Sequence, residues 1–377
     1  MNFRFKKHLV ASILMGGLLL APEMQAATYT VTRLFQIGGE YSGSGQATAY
    51  DINASGQIVG IAYAHAMSHA ALWQPASANP IDLGTLGGSY STANGINDYG
   101  QVVGTALTSD TTYHAVLWQP GSTTPIELGT LSGSYYSWAS GINNNGQVVG
   151  GDTSSNGVNY AALWQPGSTT PIELSTLGGT NSFATSINSS GQIVGIANNS
   201  DEIYRATLWQ SGSTTAVELD SLGGVGRSWA SGINDSGQVV GSTPTIGDYH
   251  ATLWQSGSTT AIDLGTIGGG YSQATGINNS GQVVGVADTS GGINHAALWQ
   301  SGSATAIDLN TLVSLSSGYL QIALGINNKG QIIAQDSNGF ANLLTPTVTS
   351  VPVPSAIWLF ASMLAGFIGF NCRKQMQ

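Results

Sequence analysis

The chain has 377 residues, only 7% of them charged, with 52 glycines and a formal net charge of −10. Length alone would allow two or three domains, and an apolar content of 41% is too high for a disordered chain. Lys and Arg number 9 against 19 acids; a phosphate backbone is bound by clustered Lys and Arg, so nucleic acid is excluded as a partner.

Residues 1–27 read as a secretory signal peptide. Arg4, Lys6 and Lys7 come first, then an apolar run over 9–20, then the small residues Ala26 and Ala27. An uncleaved anchor is the alternative.

From there the chain repeats itself. A Gly-Gln pair begins at Gly56, Gly100, Gly146, Gly191, Gly237, Gly281 and Gly330, at spacings of 44, 46, 45, 46, 44 and 49. Leu-Trp follows it at Trp73, Trp118, Trp164, Trp209, Trp254 and Trp299, and an acid before Leu at Asp82, Glu127, Glu173, Glu218, Asp263 and Asp308. A fixed period near 45 means an array of one supersecondary unit.

One period gives the unit. Residues 273–278 (QATGIN) have strand length, Asn279-Ser280-Gly281 is a turn, and 282–287 (QVVGVA) form a β-branched return. A polar Gly-rich loop leads to 295–300 (HAALWQ), and a turn leads to 306–309 (AIDL). Before the next first strand lies a longer link, such as 265–272 (GTIGGGYS). Four antiparallel strands per period describe a propeller blade.

First strands end at Asn53, Asn97, Asn143, Asn188, Asn234, Asn278 and Asn327, which makes seven blades. Third strands also number seven when 339–344 is included, but fourth strands inside the array number six. The missing one is at the N-terminus, where 29–34 is followed by Phe35-Gln36-Ile37-Gly38-Gly39 in place of Asp-Leu-Gly-Thr-Leu-Gly-Gly. The expectation is an all-β, seven-bladed propeller over 28–346, its ring closed by the N-terminal strand, with a β-solenoid as the alternative.

The units His114-Ala-Val-Leu-Trp118, His250-Ala-Thr-Leu-Trp254 and His295-Ala-Ala-Leu-Trp299, each after an Ile-Asn-x-x-Gly-Gln segment, resemble the extracellular HAF repeats of bacteria. Val, Thr or Ala stands where that family's name has Phe. The resemblance covers nearly the whole chain between its ends and implies a secreted β-repeat protein with no defined activity.

Residues 347–377 form a tail. Pro352-Val-Pro354 precedes an uncharged helix-length stretch at 356–370, which ends in Cys372-Arg373-Lys374. The apolar stretch is short for a lone span, which takes roughly 20 residues, and the basic end puts its C-terminus in the cytoplasm. The tail resembles a PEP-CTERM sorting signal, with Pro352-Val-Pro354 in place of Pro-Glu-Pro and with Arg373 and Lys374 as the basic end. That resemblance implies a Gram-negative exopolysaccharide producer and an exosortase that removes the tail. Secretion machinery and exosortase would be partners in export, with transient membrane insertion, and the destination would be the cell surface or matrix. A plain C-terminal anchor is the alternative. Without residues 1–27 and 347–377, four Lys and Arg face 18 acids, a net charge of −14, and no cysteine remains for a disulfide.

An active site needs asymmetry, so the repeated acid, Trp and Gln read as structure. The histidines at 69, 114, 250 and 295 share one register with Tyr160 and Arg205, on separate blades, which does not suit one metal. No cofactor is expected; loosely bound calcium at Asp51 and Asn53 or at the loop acids Asp110, Asp152, Asp201, Glu202, Asp248 and Asp288 is the one alternative. The asymmetric column lies four residues before each strand-one Ile: Thr48, Thr92, Trp138, Phe183, Trp229, Gln273, Ile322. Trp138, Phe183 and Trp229, with Tyr135, Tyr136 and Arg227 beside them, are candidate ligand-binding residues, since flat aromatics stack on sugar rings. The alternative is packing between blades. The functional expectation is a non-enzymatic exported protein that binds glycan, such as exopolysaccharide, or a partner protein. A purely structural matrix protein and a glycan-cleaving enzyme are the other readings.

Overall fold

A computed structural model describes residues 28–38, 46–64, 67–131 and 134–347. The expected signal peptide, the apolar stretch 356–370 and the sorting residues Pro352, Pro354, Arg373 and Lys374 lie outside the described residues. Among the described residues no helix is long and apolar enough to cross a membrane.

The described residues form seven four-stranded antiparallel sheets, six of them with their strands in sequence order. In blade 6 these are Gly268–Ile277, Val283–Thr289, Asn294–Trp299 and Ala306–Asp308. Blade 7 has Leu320–Ile326, Ile332–Asp336 and Ala341–Pro346 from the C-terminal end of the array, and its outer strand is Tyr29–Arg33. Tyr29 pairs with Pro346 and Arg33 with Asn342, so the N-terminal strand closes the ring as expected. The protein is a seven-bladed β-propeller, and the solenoid is excluded.

The link 265–272 is a correction. In blades 2, 4 and 6 the inner strand already starts at Gly87, Gly178 and Gly268, so half of the expected loop is strand. Gly268 pairs with Thr289, and a register shift before Ser272 absorbs the extra residues. The amide of Tyr271 finds its acceptor in Asp288 Oδ1 at 2.7 Å, which is how an irregular stretch keeps its backbone groups paired.

The repeated residues hold blade to blade. Each Leu-Trp indole is buried and donates its N–H to a backbone carbonyl just after the outer strand of the blade before it: Trp73 to Phe35, Trp118 to Leu83, Trp164 to Gly129, Trp209 to Ser175, Trp254 to Asp220, Trp299 to Leu264. A buried serine on the next inner strand (Ser91, Ser137, Ser182, Ser228 or Ser272) accepts the amide of Ala70, Ala115, Ala161, Ala206 or Ala251. At the axis the strand-one asparagines form a closed ring. Nδ2 of Asn53, Asn97, Asn143, Asn188, Asn234, Asn278 and Asn327 each donates to the carbonyl of the next asparagine, at 2.9–3.1 Å, and Asn327 donates to Asn53. The second amide hydrogen goes to the Gln four residues on, as in Asn188 to Gln192 Oε1 at 2.8 Å. Oδ1 accepts that Gln's own amide, so the buried side chain is saturated. The Gly of each Gly-Gln pair turns the chain at positive φ, from 73° at Gly330 to 95° at Gly56, where only glycine is at ease.

Each inner strand carries a β-bulge two residues before its Ile, for example between Ala93 and Gly95. A bulge re-aims side chains, and here the bulge pairs line the central channel. They are Tyr50-Asp51, Ser140-Gly141, Thr185-Ser186, Ser231-Gly232, Thr275-Gly276 and Leu324-Gly325, with Asn94 of blade 2.

Candidate functional site

Inner strands alternate between a face packed on the neighbouring blade and a face that is less covered, the period of two expected of a strand. In Gly87–Ile96, Ser91 and Ala93 are buried, whereas Tyr90, Thr92 and Asn94 are not. In blade 3, Tyr136 and Trp138 take the places of Tyr90 and Thr92. Between these two strands lies an open cleft of about 880 Å³ counted out to solvent, lined by Tyr50, Tyr90, Thr92, Asn94, Thr105, Tyr113, Tyr136 and Trp138.

The rings of the cleft continue as an arc. Tyr90 meets Tyr113 at 5.6 Å between centroids, Tyr113 meets Tyr136 at 5.5 Å, and Tyr136 meets Trp138 at 5.5 Å. Trp138 meets Phe183 at 5.8 Å, and Phe183 meets Tyr204 at 5.8 Å. The Arg227 guanidinium lies 5.3 Å from the Tyr204 ring, and next to it Trp229 stacks on Tyr249 at 5.2 Å. Offset and edge contacts of this kind are the favoured aromatic geometries. Gly151 makes the arc possible, because a Cβ there would come within 2.1 Å of the Trp138 ring. Other blades place Ile61, Thr105, Ile196, Ser242, Val286 and Gln335 at that cross-strand position.

The structure therefore brings together Trp138, Phe183 and Tyr136, and sets Arg227 and Trp229 at the far end of the arc. Trp138, Phe183 and Trp229 are half-buried and belong to none of the buried clusters between blades, although Trp138 and Phe183 touch across blades 3 and 4. Tyr135 is the exception: it is 63% exposed and makes no ring contact. A register shift between Ser134 and Tyr136 and the strand's alternation turn it away from the cleft. The sequence reading missed Tyr50, Tyr90, Tyr113, Tyr204 and Tyr249. Two columns carry that signal: Tyr90 and Tyr136 stand two before the Thr92 and Trp138 column, and Tyr113, Tyr204 and Tyr249 stand just before the His register.

Within the protein, the hydroxyls of Tyr50, Tyr63, Tyr90, Tyr113 and Tyr136 make no hydrogen bond to any described residue, whereas Tyr271 Oη reaches Gln273 at 2.9 Å. Burial, and after it the neighbouring phenols of Tyr50, Tyr113, Tyr136 and Tyr63, push Tyr90 above the ordinary tyrosine value. These hydroxyls thus crowd toward one space.

Asp51 is the other asymmetric feature. The matching bulge position is Gly95, Gly141, Ser186, Gly232, Gly276 or Gly325 in the other blades. Oδ1 accepts the Ile52 amide at 2.8 Å and Oδ2 the Ile96 amide at 2.9 Å, which ties blade 1 to blade 2. Burial pushes its carboxyl up from 3.8 to about 6, against the lowering by those two amides and with Asp98 adding to the rise. A raised pKa means the folded state binds the proton more tightly than the unfolded one. The resulting stability is complete below about pH 4 and is lost as pH rises through about 6, at most about 3 kcal/mol. Between pH 4 and 7 the thermal midpoint of the wild type is expected to fall relative to that of Asp51→Asn, the wild type losing this increment and the variant not. Parallel curves would refute it.

The histidines pair inside their own blades. Nδ1 of His69, His114, His250 and His295 lies 2.5–2.9 Å from Asp82, Glu127, Asp263 and Asp308, and Arg205 meets Glu218 at 3.4 Å in the same place. Two of the repeated features are thus one structural pair. Among the described residues no group of three or more His, Cys, Asp or Glu is placed to hold a metal ion. Asp201 and Glu202 are not on a strand but in the turn before Tyr204–Trp209, where Glu202 bonds Asn198 and Thr180.

No protein-family profile and no curated protein sequence matches the chain. Solved structures do. TolB from Acinetobacter baumannii is similar over 78% of this chain and 64% of its own, at 12% identity and a TM-score of 0.47. The acylaminoacyl peptidase of Pyrococcus horikoshii is similar over 77% of this chain and 49% of its own, at 9% identity and 0.51. The WD40 β-propeller domain of Doa1 is similar over 86% of this chain and 98% of its own, at 11% identity and 0.47. The chain thus spans 64% of the TolB chain and about half of the peptidase. At these identities the likeness is one of fold.

Proposed function

We propose that the protein is an exported, non-enzymatic propeller of the cell surface or exopolysaccharide matrix, and that it binds glycan in the cleft between blades 2 and 3. The observation that carries this reading is the arc of aromatic rings, in which the cleft hydroxyls of Tyr90, Tyr113 and Tyr136 have no partner among the described residues. A sugar offers an apolar C–H face and a rim of hydroxyls, and flat rings beside free O–H groups complement both. The rest of the array supports it by contrast, since its repeated Asn, Trp and Ser groups are saturated by the fold.

Export rests on the signal-like residues 1–27 and the basic-ended tail, with secretion machinery and an exosortase as partners and transient insertion through 356–370. Among the described residues, Asp51 is the one carboxylate lining the cleft and the part of the channel that adjoins it, and Asp98 and Asp235 line the channel's other end, at the asparagine ring. Sugar hydrolysis usually takes two carboxylates across the substrate, which favours binding over cleavage.

Calorimetry with the polysaccharide of the producing organism tests the reading. Saturable binding is expected, weakened about tenfold or more by Trp138→Ala and by Tyr113→Ala, or about 1.4 kcal/mol each, with thermal transitions that stay cooperative. No binding, or full binding by a folded Trp138→Ala and Tyr113→Ala double variant, would leave the structural matrix reading in its place.

A further inference from the structure

The channel and the cleft are not separate spaces. Tyr50 and Asn94 line both, and Asp51 lies in the channel wall at that junction. Its carboxylate accepts two backbone amides and has lone-pair capacity for more. Asp51 is half-buried, and a carboxylate with part of its hydration removed is stabilised by a cation beside it. Here the four Lys and Arg of the described residues are all engaged elsewhere. Arg33 lies over Phe340, Arg205 pairs with Glu218, Arg227 lies over Tyr204, and Lys329 reaches Ser55 O. The charge that acts on Asp51 is that of another acid, Asp98. The junction is therefore negative, walled by electron-rich ring faces, and short of a positive group.

We propose that the glycan bound in the cleft carries a protonated amino sugar, whose ammonium group sits at this junction between the Asp51 carboxylate and the Tyr50 ring. An ammonium is a compact donor of three hydrogen bonds, and an aromatic face attracts it as well. The hydroxyls of Ser140, Ser186 and Ser231, which have no partner among the described residues, line the same channel. A neutral or N-acetylated sugar would stack on the same rings and leave the carboxylate uncompensated. This inference rests on the glycan reading above and adds the charge of the ligand.

The experiment is calorimetry of the purified full chain with three hexasaccharides of one linkage: β-1,4-glucosamine, its N-acetylated form, and β-1,4-glucose. The glucosamine oligomer is expected to bind at least tenfold tighter than either neutral one, and Asp51→Asn to bring the three within a factor of about two. Tyr50→Leu, which leaves the Asp51 carboxylate and its amide bonds in place, is expected to reduce the preference in part, and it serves if Asp51→Asn fails to fold. Equal affinities in the wild type, or a preference untouched in both variants, would overturn the inference while the glycan reading stands. Full displacement by methylammonium at the concentration that saturates a free-amine site would assign the junction to a small amine and also overturn it. Binding of no hexasaccharide refutes the amino-sugar assignment; the native polysaccharide experiment then decides the glycan reading on its own.

Discussion

A chain that starts at Phe35, without the strand Tyr29–Arg33, is expected to lose most of its stability. That strand contributes more than one edge of a sheet. Tyr29 is buried in the core shared by blades 6 and 7, and Leu34 in the core shared by blades 7 and 1. The Tyr29 amide also donates to Leu312 O, and the Leu34 amide to Ala341 O. Burying each of the two side chains is worth about 2 kcal/mol, and the ladder bonds add roughly 1 kcal/mol apiece. The sum, more than 5 kcal/mol, is comparable with the whole stability of an ordinary domain, about 5–15 kcal/mol. The loss is compounded because Ala341–Pro346 becomes an open edge, free to pair with other chains. Urea unfolding of the truncated chain is expected to show a collapsed midpoint and concentration-dependent association. A synthetic peptide spanning residues 28–36 is expected to restore the midpoint by adding back as a strand. An unchanged midpoint would mean that the ring is held by its inner strands alone.

The closing strand was legible in the sequence because its count was: seven Asn-ended strands, six acid-Leu strands, and one matching segment at 29–34. Periodicity exposes any position that recurs, so the blades, the Trp between them and the turns at Gly-Gln were all readable. The partners of those positions were not. The ring of asparagines joins residues 44 to 49 apart around an axis, and 274 apart where Asn327 closes on Asn53, and no local pattern in one repeat reveals that a side chain bonds its own copy in the next. The pairing of His69 with Asp82 hid for a related reason. Both positions were visible columns, but only the diagonal register of the third and outer strands brings them together.

The site divides along the same line. Trp138, Phe183 and Trp229 stood out as departures within a column, and the structure places them outside the cores. Tyr135 was grouped with them by proximity in sequence, yet a one-residue register shift turns it away, since strand neighbours face opposite sides. Tyr50 escaped notice, and Asp51 was visible only as a weak calcium-loop match, because each is single in its column and a single departure looks like ordinary drift. What gives them meaning is the bulge, which turns both toward the channel, and bulges leave no period in the sequence.

The second large effect is expected at the axis. Asn188 donates to Asn234 O at 3.1 Å and to Gln192 Oε1 at 2.8 Å, while its Oδ1 accepts from the Gln192 amide at 2.9 Å. Asn188→Ala removes these three bonds and the one from Ser190 Oγ to Oδ1, and leaves buried groups on two blades without partners, at about 1–3 kcal/mol for each. The expected loss is therefore about 3–5 kcal/mol, read from urea midpoints. Asn188→Asp separates the contributions, because it preserves shape and the accepting oxygen. At pH 7 its carboxylate would face Asn234 O and Gln192 Oε1, both acceptors, so it should be at least as damaging as alanine. On acidification the aspartyl proton lets the side chain donate one bond again, and the gap to wild type should narrow. Alanine has no proton to regain, so its gap should not close in the same way. An Asn188→Asp chain as stable as wild type at pH 7 would show that the ring's bonds follow the blades' packing rather than help to fix it.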